Sequence, residues 1–176
     1  MRDIYIFDID GCIMPPIFSN FIGDESRKNI VKKAITNGNN IELFPGFIKF
    51  YKKYCNNAES IFFITGRKRS EFGRLTENQL KSLSSTKKFH IIYYPEKKSH
   101  KIKKYFSWKV KEIKKIIRSM VRTKSLRNSS EKNIKFNIFD DLNEYFPKIK
   151  DFLDISGGQI QLSLIENEDS WNCFFD

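Results

Sequence analysis

Asp3-Ile-Tyr-Ile-Phe-Asp8-Ile-Asp10-Gly-Cys-Ile13 is the stretch that decides the fold of this chain. Ile4 to Phe7 are apolar or β-branched and predict a short buried strand. Two carboxylates follow, Asp8 and Asp10, one residue apart, and Gly11 lets the chain turn. In a parallel α/β sheet, ligands sit just outside the carboxyl ends of strands. Two acids at such an end repel each other, and a bound cation relieves the repulsion. Mg²⁺ suits carboxylates and keeps waters and substrate phosphate in its other positions. A carboxylate there can also attack phosphorus and carry the phosphoryl group as an aspartyl-phosphate.

Outward from this strand the pattern alternates. Met14 to Gly23, with two prolines, predicts a loop hanging over the strand end, and Asp24 to Ile35 a short helix closed by Asn37-Gly-Asn-Asn40. Leu43 to Tyr54 predicts a helix entered through Pro45, with Phe47, Ile48, Tyr51 and Tyr54 facing the core. Ile61-Phe-Phe-Ile64 reads as the second strand, Ser70 to Leu83 as a helix and Phe89 to Tyr94 as the third strand. Lys97 to Thr123 is the longest helical pattern. Its apolar stripe is Ile102, Phe106, Val110, Ile113, Ile117, Met120 and Val121, and its other faces are basic. Ile134 to Phe139 predicts a fourth strand and Leu142 to Leu153 a helix. Gln159 to Ile165 alternates like an edge strand, and an acidic, aromatic tail follows. The expected fold is a three-layer α/β/α, Rossmann-like arrangement around a mostly parallel sheet. Residues 1–176 form one domain, with a short loop-helix insert at 11–42 and the edge strand and tail at 157–176.

The 176 residues carry 32 Lys and Arg against 21 Asp and Glu, a formal charge of +11 that favours acidic partners. Cys12, Cys55 and Cys173 are far apart and odd in number, and no pair has metal-ligand spacing. They fit a reduced, cytoplasmic setting. No apolar run approaches the length of a membrane helix, and the N-terminus lacks the regions of a signal peptide.

Taken in turn, the strand ends supply Asp8 and Asp10, then Thr65-Gly66-Arg67, then Asp140-Asp141, with Lys109 on the helix before the fourth strand. Together they form a phosphoryl-transfer kit. One carboxylate attacks, a second moves the proton, others hold a metal, and a hydroxyl and an ammonium bind the phosphoryl oxygens. Phe7-Asp-Ile-Asp-Gly11, Ile61-Phe-Phe-Ile-Thr-Gly-Arg67, a lysine before the last motif and Ile138-Phe-Asp-Asp141 occur in an order that resembles the haloacid dehalogenase (HAD) superfamily of Mg²⁺-dependent phosphohydrolases. The resemblance covers roughly residues 3 to 155. It implies that Asp8 is the nucleophile and a Mg²⁺ ligand. Asp10 is then the general acid/base, with its backbone carbonyl on the metal. Thr65 binds the phosphoryl group, with Gly66 and Arg67 beside it on the substrate, and Asp140 and Asp141 complete the metal site. Arg67 clamps phosphate on this reading, although it can equally pair with a carboxylate. Lys109, in Phe106-Ser-Trp-Lys-Val110, is the preferred third-motif lysine and Lys98 the alternative.

The interval from Gly11 to Ile61 leaves little material for a cap, so the site is expected to be open enough for a phosphate on a macromolecule. Between Lys97 and Lys135, fifteen Lys and Arg face only Glu112 and Glu131, a local charge of +13 that exceeds that of the whole chain. Tyr93, Tyr94, Tyr105, Phe106 and Trp108 lie among or beside these charges. Lysines on phosphates with aromatics on bases suit single-stranded RNA or DNA. A solvated basic helix face with its aromatics in the core fits the same pattern. A fainter similarity to HAD-type RNA-repair and polynucleotide phosphatase domains points to nucleic-acid ends or nucleotides as substrate. The rival readings are a non-catalytic nucleic-acid-binding module and a small-metabolite phosphatase.

Overall fold

In the computed structural model, residues 2–17, 27–83, 88–97, 102–125, 134–156 and 159–175 are described. Five parallel strands form one sheet: β1 (Arg2–Asp8), β2 (Ser60–Lys68), β3 (His90–Tyr94), β4 (Ile134–Asp140) and β5 (Gln159–Leu164). Their spatial order is β3-β2-β1-β4-β5. The chain builds outward from β1 in one direction and then crosses back to β4 on its other side. That reversal makes a crevice beyond the carboxyl ends of β1 and β4, where ligands bind in open α/β sheets.

The period-two alternation of the strands explains the two cores. Tyr5 and Phe7 of β1 point to one face with Phe63 and Phe139, under helix α2 (Pro45–Phe50). Ile4 and Ile6 point to the other with Phe62, Ile64, Phe136 and Ile138. There they meet Trp108, Ile113, Ile116 and Ile117 of α4 (Ile102–Ser125) and Ile149 of α5 (Phe146–Ser156). Helices on both faces complete the three-layer α/β/α arrangement expected from the sequence. The remaining helices are α1 (Arg27–Gly38) and α3 (Arg69–Gln79), which pack together through Ala34, Phe72 and Leu75 with Ile17. The loop-helix segment is thereby tied to α3.

Three expectations shift in detail. The helix entered at Pro45 continues from Tyr51 to Cys55 as a π-helical turn. Strand β2 runs on to Lys68, with an irregularity against β3 between Thr65 and Lys68. Helix α5 starts at Phe146, because the Asp140 carboxylate accepts from the Leu142 N–H at 3.1 Å and holds that residue in a turn. The tail is core as well as surface. Residues Glu168–Phe174 form a 3₁₀ helix that buries Trp171 against Phe7, Phe47, Phe50 and Phe139. Its indole N–H donates to the Cys12 carbonyl at 2.9 Å, tying the C-terminus to the turn that follows Asp10. Cys12 and Cys55 are buried and Cys173 is exposed. No helix among the described residues is long and apolar enough to cross a membrane.

Candidate active site

Register alone brings the acids together. Phe7 pairs with Phe139 across β1 and β4, so Asp8 and Asp140 are adjacent at the two strand ends. On the other side Asp8 pairs with Ile64, which sets Thr65 one residue beyond it. After β1 the chain folds back through Gly11, whose φ of 85° is open to glycine with little strain. A methyl group on Gly11 would overlap the Asp141 carboxylate. This glycine therefore gives Asp141 its place in the cluster.

Ligand oxygens of Asp8, Asp140 and Asp141 lie within 4.8 Å of one another. Into the same cluster α4 delivers Lys109, only 1% exposed. Its ammonium lies 2.7 Å from Asp8 Oδ1 and is also paired with Asp140. Tyr145 donates its hydroxyl to Asp140, and Tyr105 donates to Asp8 Oδ1 at 3.3 Å. One lysine among three carboxylates leaves two negative charges uncompensated. A hard divalent cation with oxygen ligands matches both that deficit and that donor set, so the residues fit Mg²⁺.

The electrostatics report the same deficit. Burial pushes the Asp8 carboxyl well above its ordinary range; Lys109 opposes the shift, while Asp140 and Asp141 add to it. Asp141 is raised to about 7, by burial first and Asp140 second. Burial draws the Lys109 ammonium down, but Asp140 and Asp8 outweigh it and the net shift is upward. Lys109 therefore stays charged. Burial likewise raises the Cys12 thiol, with Asp140 and Asp8 adding, so this buried cysteine is held in its neutral, packed form.

Asp10 is outside the cluster. Its carboxylate takes both arms of a bidentate pair with Arg67, from Nε at 2.9 Å and from Nη2 at 2.7 Å. Arg67 is buried, and its other donors reach Thr76 Oγ1 at 3.0 Å, Gln79 Oε1 at 2.6 Å and Met14 Sδ at 3.4 Å. A guanidinium has five N–H groups, and all five are directed at these partners. The phosphate clamp expected of Arg67 is thus replaced by the carboxylate pairing: no donor is left to face a substrate. Thr65 is fully buried, and its hydroxyl accepts the Arg67 N–H at 3.1 Å. Gly66 lies against the Tyr105 ring. Lys98, the alternative lysine, lies outside the described residues.

Sequence reading passed over Tyr105 and Tyr145 as site residues. A signal existed for the first: Tyr105, Lys109 and Ile113 are four residues apart, which puts a tyrosine and a lysine on the apolar face of α4. On the opposite face Lys103, Lys104, Lys111, Lys115, Arg118 and Arg122 are exposed. Of the five aromatics among or beside them, Tyr94 and Trp108 are buried core residues that present no ring to a nucleic-acid base, while Tyr93, Tyr105 and Phe106 are half-buried.

No family model and no curated protein matches the chain. Among solved structures, the HAD domain of effector protein Lem4 from Legionella pneumophila aligns over 99% of this chain and 92% of that one, at 15% identity and a TM-score of 0.48. The functional reading rests on the chain's own residues.

Proposed function

We propose that this chain is a Mg²⁺-dependent phosphatase of the HAD type, acting through an aspartyl-phosphate on Asp8. The observation that supports it most is the meeting of Asp8, Asp140 and Asp141 with a buried Lys109 at the topological reversal of the sheet. On this reading, an Asp8 oxygen attacks phosphorus and forms a P–O bond as the bond to the leaving oxygen breaks. Asp10 gives the leaving oxygen its proton. Asp10 then takes a proton from water, which attacks phosphorus and releases phosphate and the Asp8 carboxylate. Lys109 offsets charge on Asp8 and the phosphoryl oxygens. Thr65 and Gly66 border the phosphoryl group, and Arg67 holds Asp10 in one orientation through its bidentate pair. Mg²⁺, held by Asp8, Asp140, Asp141 and the backbone carbonyl of Asp10, would offset the charge of the phosphoryl oxygens.

For the substrate we infer a phosphomonoester on a nucleic-acid end or a nucleotide. The exposed basic face of α4, from Lys103 and Lys104 to Arg122, supports it, since lysine and arginine suit the phosphates of a polynucleotide. Burial of Tyr94 and Trp108 favours a second reading, a small-metabolite phosphatase whose basic helix is incidental. Hydrolysis of a panel of sugar phosphates, nucleotides and 3′- and 5′-phosphorylated oligonucleotides, with Mg²⁺ or with chelator, tests both. Metal-dependent release of phosphate that Asp8→Asn abolishes is expected. A panel on which the wild type shows no metal-dependent release defeats the phosphatase reading. If charge reversal at Lys111 and Lys115 lowers only oligonucleotide hydrolysis, the nucleic-acid substrate stands; if it changes nothing, the metabolite reading does. Salt-sensitive oligonucleotide binding without turnover, retained in Asp8→Asn, would indicate the binding module.

A further inference from the structure

Tyr105 lies against both Asp8 and Gly66. Its hydroxyl donates to Asp8 Oδ1 at 3.3 Å, the oxygen that also receives Lys109 at 2.7 Å. Its ring lies over Gly66. A methyl group built on that glycine would sit 3.3 Å from Cε2, 3.6 Å from Cζ and 3.8 Å from the hydroxyl oxygen. A side chain at position 66 would press on the ring, so the glycine leaves the tyrosine its close fit. The far side of the ring is packed by Tyr94, Phe106 and Trp108, with centroids 5.9, 6.0 and 5.8 Å away. The hydroxyl is thus a donor fixed in place before any substrate arrives, the condition under which a hydrogen bond is most effective in catalysis. Tyr105 is half-buried, while Trp108 behind it is core.

We propose that Tyr105 is a further catalytic residue of the phosphatase: its hydroxyl donates to Asp8 at rest and passes that hydrogen bond to a phosphoryl oxygen once Asp8 carries the phosphoryl group. The oxygens of that group lie two bonds from the Asp8 oxygen, within the reach of a donor already 3.3 Å away. No proton leaves the tyrosine; it stays a neutral phenol throughout, complementing the ammonium of Lys109 on the same helical face. The inference rests on the reading of Asp8 as nucleophile.

Tyr105→Phe keeps the ring contacts and removes only the donor. Its melting temperature is expected within about 4 °C of wild type, as for loss of one hydrogen bond. On whichever phosphomonoester the wild type hydrolyses, kcat is expected to fall roughly 10- to 100-fold with KM changed less than about threefold. A kcat within twofold of wild type overturns the proposal. An active wild type matched by an equally active Tyr105→Phe overturns this proposal and leaves the phosphatase reading standing, whereas a wild type that hydrolyses nothing overturns both. Calorimetric titration with orthovanadate in the presence of Mg²⁺ gives a second readout: roughly tenfold weaker binding by Tyr105→Phe is expected, and equal binding overturns the donor.

Discussion

Replacing Lys109 by methionine keeps the side chain to within its terminal atom and deletes its charge. The ammonium is buried and lies 2.7 Å from Asp8 Oδ1. At an effective dielectric of about 20, a pair at that distance has a gross attraction of roughly 6 kcal/mol. Desolvation of the ammonium opposes it by several kcal/mol. The variant does not regain that difference alone, because it leaves Asp8 and Asp140 buried without a countercharge. Breaking such a pair costs about 3–5 kcal/mol. The sign of the pH dependence follows from linkage. In the wild type the Lys109 pKa is raised on folding, so its contribution is fully present below the ordinary lysine value and is lost only above it. In the variant the deficit belongs to Asp8, which burial already raises and Lys109 no longer opposes, so it binds its proton more tightly folded than unfolded. Stability of the variant therefore falls as pH rises above the ordinary carboxylate value. Urea unfolding should show a deficit of about 3–5 kcal/mol at pH 8, shrinking at pH 5 as the acids protonate and shrinking at pH 8 when millimolar Mg²⁺ is added. A deficit below about 1 kcal/mol at pH 8, or one that is the same at pH 5, would refute the reasoning.

Asp141, raised to about 7 without metal, must be ionised to hold a cation. It is about 10% ionised at pH 6 and about 90% at pH 8, so calorimetry should find Mg²⁺ bound roughly tenfold more tightly at pH 8; a flat profile counts against Asp141 as a ligand. Metal-free stability due to this group falls as pH rises from the ordinary carboxylate value through about 7, the reverse of an ion-paired acid. Gly11→Ala places a methyl 2.9 Å from Asp141 Cγ at a φ of 85°. It should cost about 1–2 kcal/mol in unfolding experiments and weaken Mg²⁺ binding in calorimetry. Trp171→Ala should cost about 3–5 kcal/mol in urea unfolding, because the indole is fully buried and its N–H holds the Cys12 carbonyl; a loss under about 1 kcal/mol would show the tail to be dispensable.

Much of the fold was legible along the chain because its signals are local. The apolar run Ile61-Phe-Phe-Ile64 and the alternating Ile134-Lys-Phe-Asn-Ile-Phe139 are short and rich in β-branched and aromatic residues, which favours strands, and the three-to-four spacing in α4 favours a helix. Acids directly after such runs mark strand ends. Local order was harder to read where a side chain captures the backbone, as Asp140 does at Leu142. The tail read as acidic and aromatic, with nothing to place it in the core, yet Trp171 belongs there, since one buried indole between Ser170 and Asn172 has no period to reveal it.

By itself, the sequence determined that Asp8 and Asp140 close their strands and which face of α4 is apolar, because both signals are local; it did not show that β2 runs on through Thr65-Gly66-Arg67 to Lys68. It could also show that Asp8, Asp10, Asp140 and Asp141 were candidates for one acidic site. Only the tertiary structure decided who meets whom. It set Asp10 on Arg67 and left the cluster to Asp8, Asp140 and Asp141, and it brought Tyr105 and Lys109 onto the same carboxylate oxygen. The strand order and register place Asp8 next to Asp140, although 131 residues of chain lie between them. Pairings across such distances depend on how separate elements stack, and a charge has no preferred partner until packing has removed water from around it.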